Sequence, residues 1–190
     1  MAVRQTLVSI SLLSTDFVML SASLEAVRQA GADSIHLDVM DGHFVPNISF
    51  GPSITSDIVR EANLPCCAHL MVERPESLFQ AFVEAGVAEV LFHVEATPYP
   101  FRALQILSRS RVRCGVAVNP KTAVDTVFPL FGLVDTILLM SVEPGFGGQE
   151  FLPGTVAKVE RLRRAVEDSG RLIRIAVDGG VDNSNSAVLR

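Results

Sequence analysis

The sequence predicts an α/β fold, a TIM-type (β/α)8 barrel with its eighth strand missing. Three observations predict it. Short apolar runs alternate with longer amphipathic ones along the whole chain, the pattern of β-α units and of a parallel sheet covered by helices. Seven such runs occur, more than many open sheets hold and one short of a closed barrel. Polar residues able to do chemistry fall where those runs end, which is where parallel α/β folds build their sites. An open α/β sheet is the alternative.

The elements follow in order. Thr6 to Leu12 reads as a strand and Asp16 to Ala30 as a helix, with Asp16 as its cap and Gly31 as its stop. Ser34 to Met40 is the second strand, and Pro52 suits the first turn of a helix running to Ala62. Cys66 to Met71 is the third strand, followed by a helix from Pro75 to Ala85. Glu89 to Val94 is the fourth, followed by a helix from Tyr99 to Ser108. Val112 to Val118 is the fifth, with a short helix from Thr122 to Leu130 behind it. Val134 to Met140 is the sixth, and the longest helix, Pro153 to Ser169, follows. Leu172 to Asp178 is the seventh, and a last helix begins at Asn183 and runs to Arg190. Gly31-Ala32-Asp33 and Gly86-Val87-Ala88 stand at equivalent helix-to-strand junctions, an internal echo of one repeated unit. No linker divides the chain, so residues 1–190 read as one barrel domain, incomplete at its C-terminal end.

Composition narrows the function. The chain has 190 residues, 48% of them apolar, and a net charge of −5. Its basic residues form no dense tract; Arg161, Arg163 and Arg164 share a helix with Glu160 and Glu167, a solvated face and not a nucleic-acid surface. No apolar run has membrane length, and the N-terminus lacks the form of a signal peptide. Cys66, Cys67 and Cys114 are odd in number and lie in strand-like runs, with the adjacent pair on opposite sides of its strand. This points to buried thiols in a reduced, cytoplasmic protein.

His36-Leu37-Asp38-Val39-Met40-Asp41-Gly42-His43 is the most informative stretch. Strand periodicity puts His36 and Asp38 on the same side, where they suggest a metal site, an acid/base site, or both. His69, His93, Glu95, Asn119, Ser141 and Asp178 mark the ends of later strands. His36, Asp38, His69 and Asp178 form an N2O2 set suited to zinc, iron, cobalt or manganese; a hydrogen-bonded polar cluster without metal is the other reading. The glycine-rich run Glu143 to Gln149 and the pair Gly179-Gly180 suggest a mobile loop or backbone amides for an anion, though plain tight turns would look alike. Met40, Met71 and Met140 at strand ends could wall the site or simply fill the core.

These motifs together resemble the ribulose-phosphate 3-epimerase family. The matching segments are Ser11 to Asp16, His36 to Asn47, His69 to Met71, His93 to Ala96, Val118 to Pro120, Met140 to Gln149 and Val177 to Val181. The resemblance implies interconversion of D-ribulose 5-phosphate and D-xylulose 5-phosphate through a 2,3-enediolate. It implies one divalent metal held by His36, Asp38, His69 and Asp178, with no nucleotide or organic cofactor. It makes Asp38 and Asp178 the acid/base pair. It also implies substrate contacts from Ser11, His69, Met40, Met71, Met140, Asp178, the loop of Gly145, Phe146, Gly147 and Gly148, and Gly179 and Gly180. The expected partner is a phosphorylated ketopentose; no nucleic acid or membrane is expected, and self-association stays open. Two departures stand out. Ile10 replaces a proline usual in the family, and the strand eight and Gly-Ser phosphate turn found in the family are missing after Arg190. Another phosphosugar epimerase or isomerase, and a catalytically weak metal- or phosphate-binding relative, are the competing functions.

Overall fold

The computed structural model describes residues 6–189. Strands β1 (Ser9–Ser11), β2 (Ser34–Met40), β3 (Cys66–Met71), β4 (Glu89–His93), β5 (Arg113–Val118), β6 (Thr136–Met140) and β7 (Arg174–Asp178) form one sheet in chain order. Every adjacent pair is parallel. Helices α1 (Leu20–Gln29), α2 (Pro52–Ala62), α3 (Phe79–Glu84), α4 (Pro100–Leu107) and α5 (Thr155–Ser169) run between strands. Pro52 opens α2 in its first turn, where a missing amide leaves no hydrogen bond unmade.

Several expected helices are shorter or wound more tightly. The stretch expected from Asp16 begins as a 3₁₀ turn, Phe17–Met19, which Asp16 caps by accepting from the Val18 amide at 3.0 Å. The segment from Pro75 divides into a 3₁₀ turn, Pro75–Ser77, and α3. Between β5 and β6 the expected helix is a 3₁₀ segment, Val124–Leu130, with Pro129 inside it; proline removes an amide donor and crowds the preceding turn. The last expected helix is a 3₁₀ turn, Ser186–Leu189, and Arg190 lies outside the described residues. β1 is shorter than its apolar run because only Ser9, Ile10 and Ser11 pair with β2.

The two sides of the sheet carry different residues because side chains alternate along each strand. One side sends Leu70, Phe92, Val116, Ile137 and Leu139 into a large core with Phe79, Phe82, Leu104 and Leu162 from the helical layer. A second core, around Leu24, Ile35, Leu37 and Ile58, joins α1 and α2 to β2. The opposite side is narrower: Cys67, Leu91, Ala117, Leu138 and Met140 fill it with a smaller apolar cluster. Cys66 and Cys67 do point to opposite sides, one into each layer, and all three cysteines are buried free thiols.

The sheet curls strongly. In a flat sheet β2 and β7 would lie about 24 Å apart, yet the side chains of His36 and Asp178, one from each, approach to 3.5 Å. Only an incompletely closed barrel with the smaller cluster inside brings them together. β1 and β7 are its edges among the described residues. No described helix is long and apolar enough to cross a membrane.

Candidate active site

The inner face of β2 presents His36, Asp38 and Met40, and that of β3 presents Cys67, His69 and Met71, by the same alternation. The cluster is built at their upper ends. His36 Nε2 lies 3.1 Å from His69 Nδ1 and 3.3 Å from Asp38 Oδ1. His69 Nδ1 lies 3.1 Å from Asp38 Oδ1, and both histidine nitrogens are 3.5 Å from Asp178 Oδ2 on β7. One ligand atom from each of the four residues lies within 4.8 Å of the other three. A zinc-sized cation with bonds of about 2.1 Å gives tetrahedral ligand–ligand edges of about 3.4 Å. Two imidazole nitrogens and two carboxylate oxygens at that spacing fit such an ion.

Charge within the cluster is strongly polarised. His36 and His69 are buried; burial works against their charged forms, but the carboxylates of Asp38 and Asp178 outweigh it and raise both pKa values. Burial likewise works against ionised Asp38 and Asp178, and the two histidines hold both carboxyls below the ordinary carboxylate range. Charged histidines thus favour the ionised form of each carboxylate, and all four groups are aimed at one point. Ser11 Oγ donates to Asp38 Oδ2 at 2.6 Å while accepting from the Leu13 amide. This leaves Asp38 Oδ1 turned to the histidines.

A second chain of groups lies behind His69. Its Nε2 is 2.9 Å from His93 Nε2, and the two rings stack with centroids 5.0 Å apart. His93 Nδ1 is 3.3 Å from Glu95 Oε2, and Glu95 Oε1 accepts from the Asn119 amide at 2.8 Å. Burial pushes His93 down to about 4, so it is neutral near pH 7. Burial raises the Glu95 carboxyl, but its hydrogen bonds, led by that to His93, outweigh this and hold it below its usual value. Strand-end position had marked His93 and Glu95 in the sequence, but only the structure shows them in series with His69.

The loops around the cluster are tied to one another. Asp41 Oδ1 accepts from the His43 and Phe44 amides, and its Oδ2 accepts from the Glu73 amide at 2.8 Å. Asp41 and His43 thus shape the loop beyond β2 and are outside the four-residue cluster. Met40 and Met71 are register partners and pack with Leu13, Phe44 and Val45. Met140 belongs to the inner cluster and stands beside Asp178 in register.

The glycine-rich loop after β6 crosses the open mouth of the barrel. Asn47 Nδ2 donates to the Gly145 carbonyl at 3.0 Å, and Gly147 passes so close to Ser14 that a Cβ would lie 2.6 Å from its Oγ. Gln149 Nε2 ties the loop to itself through the Glu143 and Phe146 carbonyls, leaving the Phe146 ring exposed. Gly179 and Gly180, with φ of +108° and +62°, turn the chain sharply after Asp178. A Cβ on Gly180 would meet the Gln149 carbonyl oxygen at 2.7 Å, so glycine alone permits this approach. Gly148 has open space around its Cα. Ser141, which sequence reasoning had marked without a role, places its hydroxyl oxygen 2.8 Å from the Asp178 carbonyl and 2.5 Å from that of Gly179, and its single proton is shared between these two acceptors.

Comparison with known proteins places this chain in a family. The profile of the ribulose-phosphate 3-epimerase family matches residues 7–190. The chain belongs to the ribulose-phosphate 3-epimerase family. It is 40% identical over 180 residues to the ribulose-phosphate 3-epimerase of Bacillus subtilis, covering 94% of this chain and 83% of that protein. It is 39% identical over 183 residues to the Escherichia coli enzyme of the same name, covering 96% and 81%. Among solved structures, a mutant tryptophan synthase alpha-subunit from Pyrococcus furiosus superposes with a TM-score of 0.67 at 15% identity, covering 96% of this chain and 82% of that one. That likeness concerns the fold. The epimerase family membership and the curled parallel sheet agree on an incomplete (β/α)8 barrel.

Proposed function

We propose that the chain is a metal-dependent epimerase that interconverts D-ribulose 5-phosphate and D-xylulose 5-phosphate by two-base proton transfer at C3. One observation carries this reading: Asp38 and Asp178 rise from β2 and β7, strands on either side of the gap between the edges β1 and β7, and meet at the same pair of histidines. Inverting a carbon requires a proton to leave one face and another to arrive on the opposite face. Two carboxyl groups reaching the site from separate strands suit that task, whereas an isomerase moving a carbonyl can work with one base.

His36, Asp38, His69 and Asp178 would hold the ion. A divalent cation held there supplies positive charge against the negative charge that builds on the substrate oxygens at C2 and C3. The mixed N2O2 donor set suits zinc, iron, cobalt or manganese. The protein's own groups do the rest. In one direction ionised Asp38 removes the C3 proton on one face, and Asp178, having first taken a proton from solvent against the pull of the histidines, delivers it to the other; their roles exchange in the reverse direction. Ser11 holds Asp38 in position. His69, Met40, Met71 and Met140 line the reacting end of the substrate, the methionines offering soft apolar contact beside the charges. Gly147, Gly148, Gly179 and Gly180 offer backbone to the phosphate, giving binding energy remote from the reacting carbon. Phe146 and Gly145 belong to the loop that closes over the substrate and excludes water. Three buried free thiols accord with a reducing, cytoplasmic setting.

Turnover of ribulose 5-phosphate in deuterated water tests the mechanism. Xylulose 5-phosphate carrying deuterium at C3 is the expected product. Product free of solvent deuterium overturns the two-base route, and turnover of a hexulose 6-phosphate in preference moves the substrate within the same chemistry.

A further inference from the structure

The chain of groups behind His69 has only one arrangement of protons that leaves the cluster able to bind a cation. A histidine that ligates a metal through Nδ1 must carry its proton on Nε2. His69 Nδ1 faces the cluster and its Nε2 faces His93 Nε2 at 2.9 Å. For that contact to be a hydrogen bond, His93 Nε2 must be the acceptor, so the proton of neutral His93 sits on Nδ1. There it meets Glu95 Oε2 at 3.3 Å, which can only accept. Glu95 is in turn anchored by the Asn119 amide. The reverse order fails at both ends. It would point a bare His93 nitrogen at a carboxylate, and it would move the His69 proton to Nδ1, among two carboxylates and a second imidazole that need its lone pair for an ion.

We propose that His93 and Glu95 are positioning residues that fix His69 as an Nδ1 ligand. Glu95 orders the proton on His93, and His93 orders the proton on His69. The proposal rests on the metal reading above and adds two residues to it. The enclosure supports it: His69 and His93 are both 0% exposed, so no solvent competes for these nitrogens. Phe44 packs on the far ring, with its centroid 4.8 Å from that of His93. The arrangement follows the general way in which carboxylates behind a metal-bound imidazole set its tautomer and raise its basicity. Here a second imidazole stands between them, because Glu95 reaches only as far as His93.

The test measures zinc affinity of the full chain by chelator competition, with ring-nitrogen NMR to read the tautomers. Zinc-loaded, unsubstituted protein should show His69 protonated on Nε2 and His93 on Nδ1. His93→Leu removes the acceptor and should weaken zinc binding about 10- to 100-fold. His93→Gln can still present a carbonyl oxygen to His69 and should recover part of that loss. Either His93 protonated on Nε2 in the zinc-loaded chain, or zinc affinity unchanged in His93→Leu, overturns the relay alone. Failure of the unsubstituted chain to take up zinc, or full retention of affinity by His69→Ala, overturns the metal reading and the relay with it. The NMR arm needs no substitution, so it decides the matter even where His93→Leu does not fold.

Discussion

His69 and Asp178 face one another across 3.5 Å but are held by very different parts of the molecule. His69 lies in β3, a strand buried along its whole length and hydrogen-bonded to β2 and β4. Asp178 ends β7, where every residue is exposed or half-buried and only β6 is a neighbour among the described residues. β1, which supplies Ser11, is equally bare on its outer side. Three of the four candidate ligands are thus set by the closed middle of the sheet. The fourth, together with the serine that orients Asp38, depends on its edges. The difference teaches that chemistry and rigidity are not distributed alike: the proposed two-base reaction asks the same of both carboxylates, while the fold secures one better than the other.

The largest expected effects test the chemical half of that contrast. Under the proposed two-base mechanism Asp38→Asn and Asp178→Asn each remove a proton-transfer group, and each should lower turnover by about 100- to 10,000-fold. The two losses should be of similar size despite the difference in setting, measured as kcat in both directions. Near-normal turnover of Asp178→Asn would show that the edge carboxylate has no part in the reaction, and the two-base reading would fall.

The structural half predicts unequal effects. Phe92 in β4 is fully buried in the main core, and Phe92→Ala should cost about 3–5 kcal/mol. Ile175 in β7 is only half-buried against the same core. Ile175→Ala should cost less, about 1–2 kcal/mol, since less apolar area returns to water. Urea unfolding measures both. Equal costs would mean that β7 is as firmly packed as the middle of the sheet.

The same contrast explains what could be read from the sequence. β2, β3 and α2 were legible to the residue, because continuous apolar runs bounded by proline, glycine and polar residues leave little choice. The four-residue cluster was also legible, since strand periodicity and strand-end position converge on it. β1 was predicted too long because an apolar run gives no sign of how many neighbours a strand will find. The helices around Pro75 and Pro129 were predicted as regular because amphipathic spacing cannot separate a 3₁₀ turn from an α-helix in a short segment. The order of groups from His69 through His93 to Glu95 was invisible for another reason. It depends on which ring nitrogen faces which partner, and that is settled by packing in three dimensions.

Ser141 tests how the edge is secured. Its buried hydroxyl reaches the carbonyls of Asp178 and Gly179, and its amide donates to the Asp178 carbonyl at 2.8 Å. Ser141→Ala removes the hydroxyl and leaves the carbonyls without it, and should cost about 1–1.5 kcal/mol. If Ser141 anchors Asp178, turnover should fall by more than KM rises. Loss of stability with kcat unchanged would leave Ser141 as part of the packing alone.

The smallest expected effect concerns Asp41, which ties two loops together beyond the closed side of the sheet. Its Oδ1 accepts from the His43 and Phe44 amides, and its Oδ2 from Glu73. Burial raises its pKa, but these three amides outweigh it and hold the carboxyl below its ordinary value. A depressed carboxylate contributes stability that is complete above the unfolded-state pKa of about 3.9 and is lost as pH falls through the folded value. Asp41→Asn keeps one oxygen for His43 and Phe44 but turns an amide donor toward the Glu73 N–H. It should cost about 0.5–1 kcal/mol at pH 7, because the site is half open to water. The gap between the two proteins should narrow as the medium is acidified below about pH 4, where the unsubstituted carboxyl begins to protonate. A gap of the same size at pH 7 and near pH 3 would mean that loop geometry alone, and not the carboxylate charge, joins the β2 and β3 loops.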